Sequence, residues 1–277
     1  MDEKAFSSAP EQKKMDQLAL LAHEFKTPLS VTLSTLELLH KKMLQKPESY
    51  VEEYDVLFNI AVRNVYKVLR MANNFVDEGR LSCGMTTLHI APANVTQLLR
   101  RAQESIMPML KTRGASIGFI CKAPELLQME LDAQAMERVV LNLVSNAIKH
   151  LPRENGRILI SLTEEETQVR IHVTDNGSGI SETMLPHIFE RYWRDDTDDS
   201  VDKTGAGLGL YIVKLLVELH GGTVTVQSMP HIATTFEIIL PRTSSELCES
   251  DTLRSTGACY GEDIYVQMLR QELPDFI

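Results

Sequence analysis

Cysteine is scarce and scattered. Cys83, Cys121, Cys248 and Cys259 form no C-x-x-C pair and have no histidine at zinc spacing, so neither a disulfide framework nor a structural zinc site is indicated. A reducing, cytoplasmic setting is the expectation. No run of 18 apolar residues occurs, which excludes a membrane-spanning helix. The start of the chain, with Asp2 and Glu3, lacks the basic residues and apolar stretch of a signal peptide. A fragment cut after a membrane span reads the same way, so a soluble piece of a membrane-anchored or multidomain protein fits equally. Positive charge is also short: 28 Lys and Arg against 38 Asp and Glu leave a formal charge of -10. That balance argues against nucleic acid, or an anionic membrane surface, as the main partner. No internal repeat is present.

What the chain does have is room and pattern. Its 277 residues suffice for two ordinary domains, each with its own core. From about residue 13 to 46, apolar residues recur every seventh position, with Ala22, Leu29, Leu36 and Met43 in one row and Leu18, Phe25 and Leu39 in another, interrupted by Thr32. Such a repeat is a long helix with one packing seam. After Lys46-Pro47 a second set follows: Val51, Phe58, Val65 and Ala72, then Val62, Leu69 and Val76. Two helices in an antiparallel hairpin expose more seam than they cover. Pairing two hairpins into a four-helix bundle solves this, so residues 13–80 are expected to dimerise.

The pattern changes after Gly79. Short alternating stretches at Thr86–Ile90, Ala115–Cys121, Arg157–Thr163, Gln168–Thr174, Thr223–Ser228 and Thr234–Leu240 read as strands. Helical stretches lie among them at about 94–112, 132–150 and 208–220. Together they give an α+β sandwich over residues 81–242. Residues 1–12 are a lead-in, and 243–277 form a linker followed by one more helical pattern at Asp263–Leu273.

Four constellations carry chemistry. In the segment Leu21 to Leu29, steps of three and four from His23 reach Thr27, Ser30, Ser34, Glu37 and Lys41, which places the imidazole on the polar stripe. Glu24 can take a proton from it and leave the other ring nitrogen nucleophilic, while Pro28 breaks the helical bonding beneath. Taken alone, this is also ordinary helix surface. Asn142, Asn146, Lys149 and His150 share one face of a second helix, where amide oxygens suit Mg²⁺ held by phosphates; a solvated helix face has the same pattern. Asp175-Asn176-Gly177-Ser178-Gly179-Ile180 follows a strand, and reads either as a tight turn or as a carboxylate beside close-approaching backbone. Gly205-Ala206-Gly207-Leu208-Gly209 opens a third helix, where exposed N–H groups suit polyphosphate. Between the last two, Phe189, Arg191, Arg194 and Lys203 lie in a segment that suits a cover over bound nucleotide or an ordinary exposed loop.

Singly these motifs are modest, but their order is specific. An H-E-x-x-T-P helix, an N-x-x-x-N helix, a D-x-G-x-G turn, a phenylalanine-containing loop and a G-x-G-x-G helix start resemble, in that sequence, the H, N, G1, F and G2 boxes of sensor histidine kinases over about residues 13–242. The resemblance implies a dimerisation and phosphotransfer hairpin followed by an ATP-binding domain of the gyrase and Hsp90 type. It also implies ATP and Mg²⁺ as cofactors, a homodimer, and a response-regulator receiver domain as partner, with no nucleic acid and no membrane contact by this segment. By the same resemblance His23 is the phosphoacceptor, Glu24 its acid-base partner, and Thr27 a residue for dephosphorylating the regulator. Asn146 is the Mg²⁺ ligand, Lys149 a phosphate contact and Asp175 the adenine reader. Nucleotide contacts fall to Asn142, His150, Gly177, Gly179, Ile180, Arg191 and Arg194, and to Lys203-Thr204-Gly205-Ala206-Gly207-Leu208-Gly209. Two departures stand out: His150 sits where the family commonly has an aromatic residue, and the glycine run has alanine at position 206. An ATPase or a nucleotide-binding scaffold of the same fold is the competing reading. Related ATPases place a glutamate four residues before the metal-binding asparagine, and here that position is Asn142.

Overall fold

In the computed structural model the described residues are 25–42, 51–82, 87–111, 114–193 and 207–242. Helix α1 covers residues 25–42 and α2 covers Val51–Ser82. Thr32 interrupts the apolar row, yet it is buried, because its hydroxyl donates one turn back to the carbonyl of Pro28 at 2.8 Å. Thr35 repeats this toward Val31 at 2.7 Å, and Asn64 on α2 donates to Ile60 at 2.8 Å. These buried polar groups are satisfied within their own helices. The rest of the seam is open. Leu29, Leu36, Phe58 and Val65 are each about half exposed, and a groove of about 420 Å³ runs between the helices past Thr32, Leu36, Ala61 and Leu69.

The second layer system begins at β1 (Ala91–Asn94), followed by α3 (Val95–Lys111), β2 (Ser116–Lys122), β3 (Gln128–Leu131), α4 (Ala133–His150), β4 (Arg157–Glu164), β5 (Gln168–Asp175), α5 (Gly209–Leu219), β6 (Thr223–Met229) and β7 (Ala233–Pro241). The main sheet has the order β2-β4-β5-β7-β6, with β2 parallel to β4 and the other pairs antiparallel. Alternation along β5 and β7 sends Ile171, Val173, Phe236 and Ile238 inward, and α3, α4 and α5 bury Leu99, Val140 and Val213 against them. Period-two strands and period-3.6 helices thereby share one core.

One strand differs from the sequence expectation. Residues 87–90 belong to no strand; the strand starts at Ala91 and pairs with β3, which the alternation did not reveal. Both pieces are four residues long, too short for a periodic signal, and Pro92 is tolerated because a two-stranded ladder leaves one side of each strand free of bonding.

Three side chains position the helices that matter below. Asp132 caps α4, its Oδ1 accepting from Ala135 N at 3.0 Å, while Oδ2 accepts from His89 N in the linker at 2.9 Å. His220, at the end of α5, accepts the N–H of Asp132 on Nε2 at 3.1 Å; its Nδ1 lies 2.7 Å from the carbonyl of Leu216, which fixes the ring proton on Nδ1. Arg138 Nη2 on α4 donates to Asn74 Oδ1 on α2 at 3.1 Å.

Candidate functional site

The site lies at the end of the sheet where β5 stops. Asp175, the last residue of β5, points inward and is 4% exposed. Burial pushes its carboxyl up to about 6, against a pull in the other direction from the Gly177 N–H, which donates to Oδ1 at 2.8 Å. A buried carboxyl at an open sheet end has lost water and has acceptor capacity to spare. Directly across the ladder stands Thr234, also 4% exposed. Sequence reading missed it, since Thr234 joins Asp175 only through the register of two strands far apart in the chain.

The loop after Asp175 is held from both sides. Asn176 Oδ1 accepts from Arg157 N at 2.6 Å, and its amide nitrogen donates to Asn155 O at 3.0 Å. Ser178 N donates to the carbonyl of His150 at 3.0 Å, and Ser178 O accepts from His231 N at 2.7 Å. Ile180 N donates to Ser228 Oγ at 2.9 Å. The loop is thus pressed between the end of α4 and the β6–β7 turn. A Cβ on Gly177 would come within 2.5 Å of His150 O, and one on Gly179, where φ is +70°, within 2.3 Å of Met229 O. Only glycine fits such approaches.

Across the loop, α4 presents Asn142, Asn146 and Lys149 half-buried, while the His150 side chain is exposed and its carbonyl does the anchoring. Asn142 Nδ2 is buried without a hydrogen-bond partner. Its Oδ1 lies 3.6 Å from where a Cβ on Gly209 would stand, at the first residue of α5. No side chain caps α5, whose start is pinned by the buried Leu208. Asn142 thus lies beside a helix start whose N–H groups have no side-chain cap, the kind of helix end at which an anion binds. Among the described residues no cluster of three or more His, Cys, Asp or Glu side chains forms a metal cage. A divalent ion at Asn146 would therefore take further oxygens from a polyphosphate, which the chemistry of an amide ligand fits.

Residues 182–193 form turns anchored by Ile188, which is buried, and by Phe189, whose ring meets Phe236 edge-on with centroids 6.2 Å apart. Arg191 stacks over the Tyr192 ring at 4.7 Å. Tyr192 N donates to Gly207 O at 3.1 Å, which ties these turns to the residues that lead into α5. Of the sequence-derived candidates, Asp175, Gly177, Gly179 and Ile180 share the loop that packs on the end of α4, Asn142 lies beside Gly209, and Asn146 and Lys149 are carried on the same helix α4. Thr27 is exposed on α1, with Ser30, Ser34, Glu37 and Lys41 also exposed. His23, Glu24, Arg194, Lys203, Thr204, Gly205 and Ala206 lie outside the described residues, as do the patterns at 13–24 and 263–273.

Residues 131–244 match the family of histidine kinase-, DNA gyrase B- and HSP90-like ATPases. The chain is 31% identical over 234 residues to the sensor histidine kinase TmoS of Ectopseudomonas mendocina, a match that covers 84% of this chain and 23% of TmoS. It therefore spans about a quarter of that relative's length. Full-length ShkA in complex with AMPPNP is similar in structure, with a TM-score of 0.61 and 28% identity over 83% of this chain and 46% of ShkA. The histidine kinase ThkA in complex with the response regulator TrrA shares the fold at a TM-score of 0.58 and 22% identity, over 87% of this chain and 67% of ThkA. Among the described residues no helix is long and apolar enough to cross a membrane.

Proposed function

We propose that this chain, whose residues 131–244 match the histidine kinase-, DNA gyrase B- and HSP90-like ATPases and which is homologous to sensor histidine kinases, moves the γ-phosphoryl group of ATP onto His23 and then onto an aspartate of a response regulator. One observation carries the nucleotide half. The buried Asp175 carboxyl ends β5, and the Asn142 amide lies beside the uncapped start of α5, on the helix whose end holds the Asp175 loop. The first is an acceptor for the adenine amino group, the second a donor for phosphate oxygens.

In this reading Asp175 accepts from the adenine N6-H, and Gly177 and Gly179 let the loop beside it pack against the end of α4 and the β6–β7 turn. Asn142, Lys149 and the backbone N–H groups of Gly207-Leu208-Gly209, which lead into α5, take the phosphates. Asn146 offers its amide oxygen to Mg²⁺, which draws charge off the phosphate oxygens when bound. Glu24 accepts the proton from one ring nitrogen of His23 while the other attacks the γ-phosphorus in line. The bond from that phosphorus to the β,γ-bridging oxygen breaks, and ADP leaves. The phosphohistidine then gives its phosphoryl group to a receiver aspartate, as the pairing of ThkA with TrrA suggests. Asn142 stands where hydrolytic relatives carry a glutamate, so it offers no base to water, which favours transfer to protein over hydrolysis.

Two hairpins pair through the exposed row of Leu29, Leu36, Phe58 and Val65, giving a homodimeric four-helix bundle. Incubation with γ-labelled ATP and Mg²⁺ tests the reading. Label should be acid-labile on the wild type and absent from His23→Gln, with ADP binding equal in both; label retained on His23→Gln would remove His23 as the acceptor.

A further inference from the structure

Ser228, at the end of β6, makes three contacts with a single hydroxyl. Its Oγ lies 2.9 Å from Ile180 N, 3.0 Å from Ala233 O and 2.9 Å from Thr234 Oγ1. A serine hydroxyl has one proton and two lone pairs. The N–H of Ile180 can only donate and the carbonyl of Ala233 can only accept. The proton of Ser228 is therefore committed to Ala233, and one lone pair to Ile180. The contact with Thr234 is left to be made by the proton of Thr234, which points at Ser228. Thr234 then has lone pairs, and no proton, to offer anything arriving beside Asp175.

From this arrangement we propose that Ser228 is a positioning residue for base selection: by drawing the Thr234 proton away, it makes the recognition end of the pocket an acceptor-only surface formed by Asp175 and Thr234. Such a surface takes a purine whose 6-position donates, as an amino group does, directly or through one water. A 6-oxo group brings lone pairs against lone pairs and is rejected, and rejection of this kind is the stronger form of discrimination because it leaves buried polar groups unpaired. Ser228 also ties the Asp175 loop to the β6–β7 turn through Ile180, so one side chain sets both the position of the loop and the polarity of its neighbour. The inference rests on the reading of this site as an ATP site.

Calorimetric titration of the full chain with ADP and with GDP, both with Mg²⁺, tests it. Ser228→Ala frees the Thr234 hydroxyl to turn and donate to a 6-oxo group, so the ADP-to-GDP affinity ratio should fall by roughly tenfold. A purely structural role would weaken both ligands together and leave the ratio unchanged, which would overturn the proposal. Ser228→Thr keeps a hydroxyl and should restore the wild-type ratio. In the double variant Ser228→Ala with Thr234→Val there is no proton to turn, so GDP affinity, raised in Ser228→Ala, should return to its wild-type value; a GDP affinity that stays raised would contradict the mechanism. Should Ser228→Ala fail to fold, Thr234→Val alone decides. An acceptor-only threonine supports ADP and not GDP, so the variant should weaken ADP and leave GDP where it was, whereas equal weakening overturns the proposal. Wild-type protein that bound neither nucleotide would overturn the ATP-site reading itself, and this inference with it.

Discussion

Asp175 and Thr234 are cross-strand partners at the open end of the β5–β7 ladder, both turned into the interior and both 4% exposed. The pairing puts a carboxyl and a hydroxyl side by side, next to a loop whose glycines admit close contact and opposite a helix with an unpartnered amide. Burial of the carboxyl, which holds its pKa at about 6, is a cost to the empty fold that a donor from the nucleotide would offset.

That cost can be measured. Because the folded carboxyl titrates at about 6 against 3.8 for the ordinary value, the folded chain binds the proton more tightly than the unfolded one. The associated stability is fully present below the unfolded value and is lost as pH rises through about 6. Asp175→Asn removes the charge and should raise the stability of the nucleotide-free protein at neutral pH by roughly 1–2 kcal/mol while abolishing ADP binding. Thermal melts across pH check it: the gain should shrink toward zero as the pH approaches 4, and a gain that is the same at all pH values would contradict the cause assigned.

The glycines separate fold from ligand. Gly179→Ala meets Met229 O at 2.3 Å with φ at +70°, and should destabilise the domain by about 2 kcal/mol or more. At Gly209 the nearest atom to a new Cβ is 3.6 Å away, an ordinary contact, so Gly209→Ala should fold normally. Its methyl would still sit beside the Asn142 amide, so ADP affinity should drop. Chemical denaturation read beside ADP titration distinguishes the two, and normal ADP affinity in Gly209→Ala would move the phosphates elsewhere.

Much of this was legible in the chain. Five of the six expected strands and the three expected helices of the α+β layer appear within a residue or two, because alternation of Ile, Val and Phe with polar residues runs seven to nine residues in those strands and Asp132 caps α4. Not legible were β3 and the shift of β1, which are too short to show a period, and the Asp175–Thr234 pair, which needs the order β5-β7-β6. The seam rows gave the helices but not which polar residues are buried in them, since Thr32 and Thr35 hide by bonding within α1.

Exposed Leu36 and Val65 predict the assembly. Leu36→Glu with Val65→Glu places charge in the row that a second hairpin would cover, and should convert a dimer to a monomer that still binds ADP. Sedimentation at matched concentration reads this directly, and a variant that stays dimeric would place the interface on another surface.

Thr27 is exposed on α1, one turn beyond His23 in sequence. On the proposed reading, a regulator docked where it receives phosphate from His23 would also present its phosphoaspartate near this hydroxyl, which would orient a water toward it. Thr27→Ala should keep most self-phosphorylation and slow dephosphorylation of the regulator severalfold; a parallel fall in both activities would assign Thr27 to holding the helix beside Pro28 instead.

The central claim is that ATP gives its phosphoryl group to the protein and not to water. A rapid-quench single turnover, with enzyme in excess over γ-labelled ATP and no regulator present, counts protein-bound label against free phosphate at each time. The account predicts label accumulating on the peptide that contains His23 as ATP disappears, with free phosphate lagging far behind. Free phosphate released in step with ATP loss, with no protein-bound intermediate, would contradict it and identify the chain as a hydrolase of the same fold.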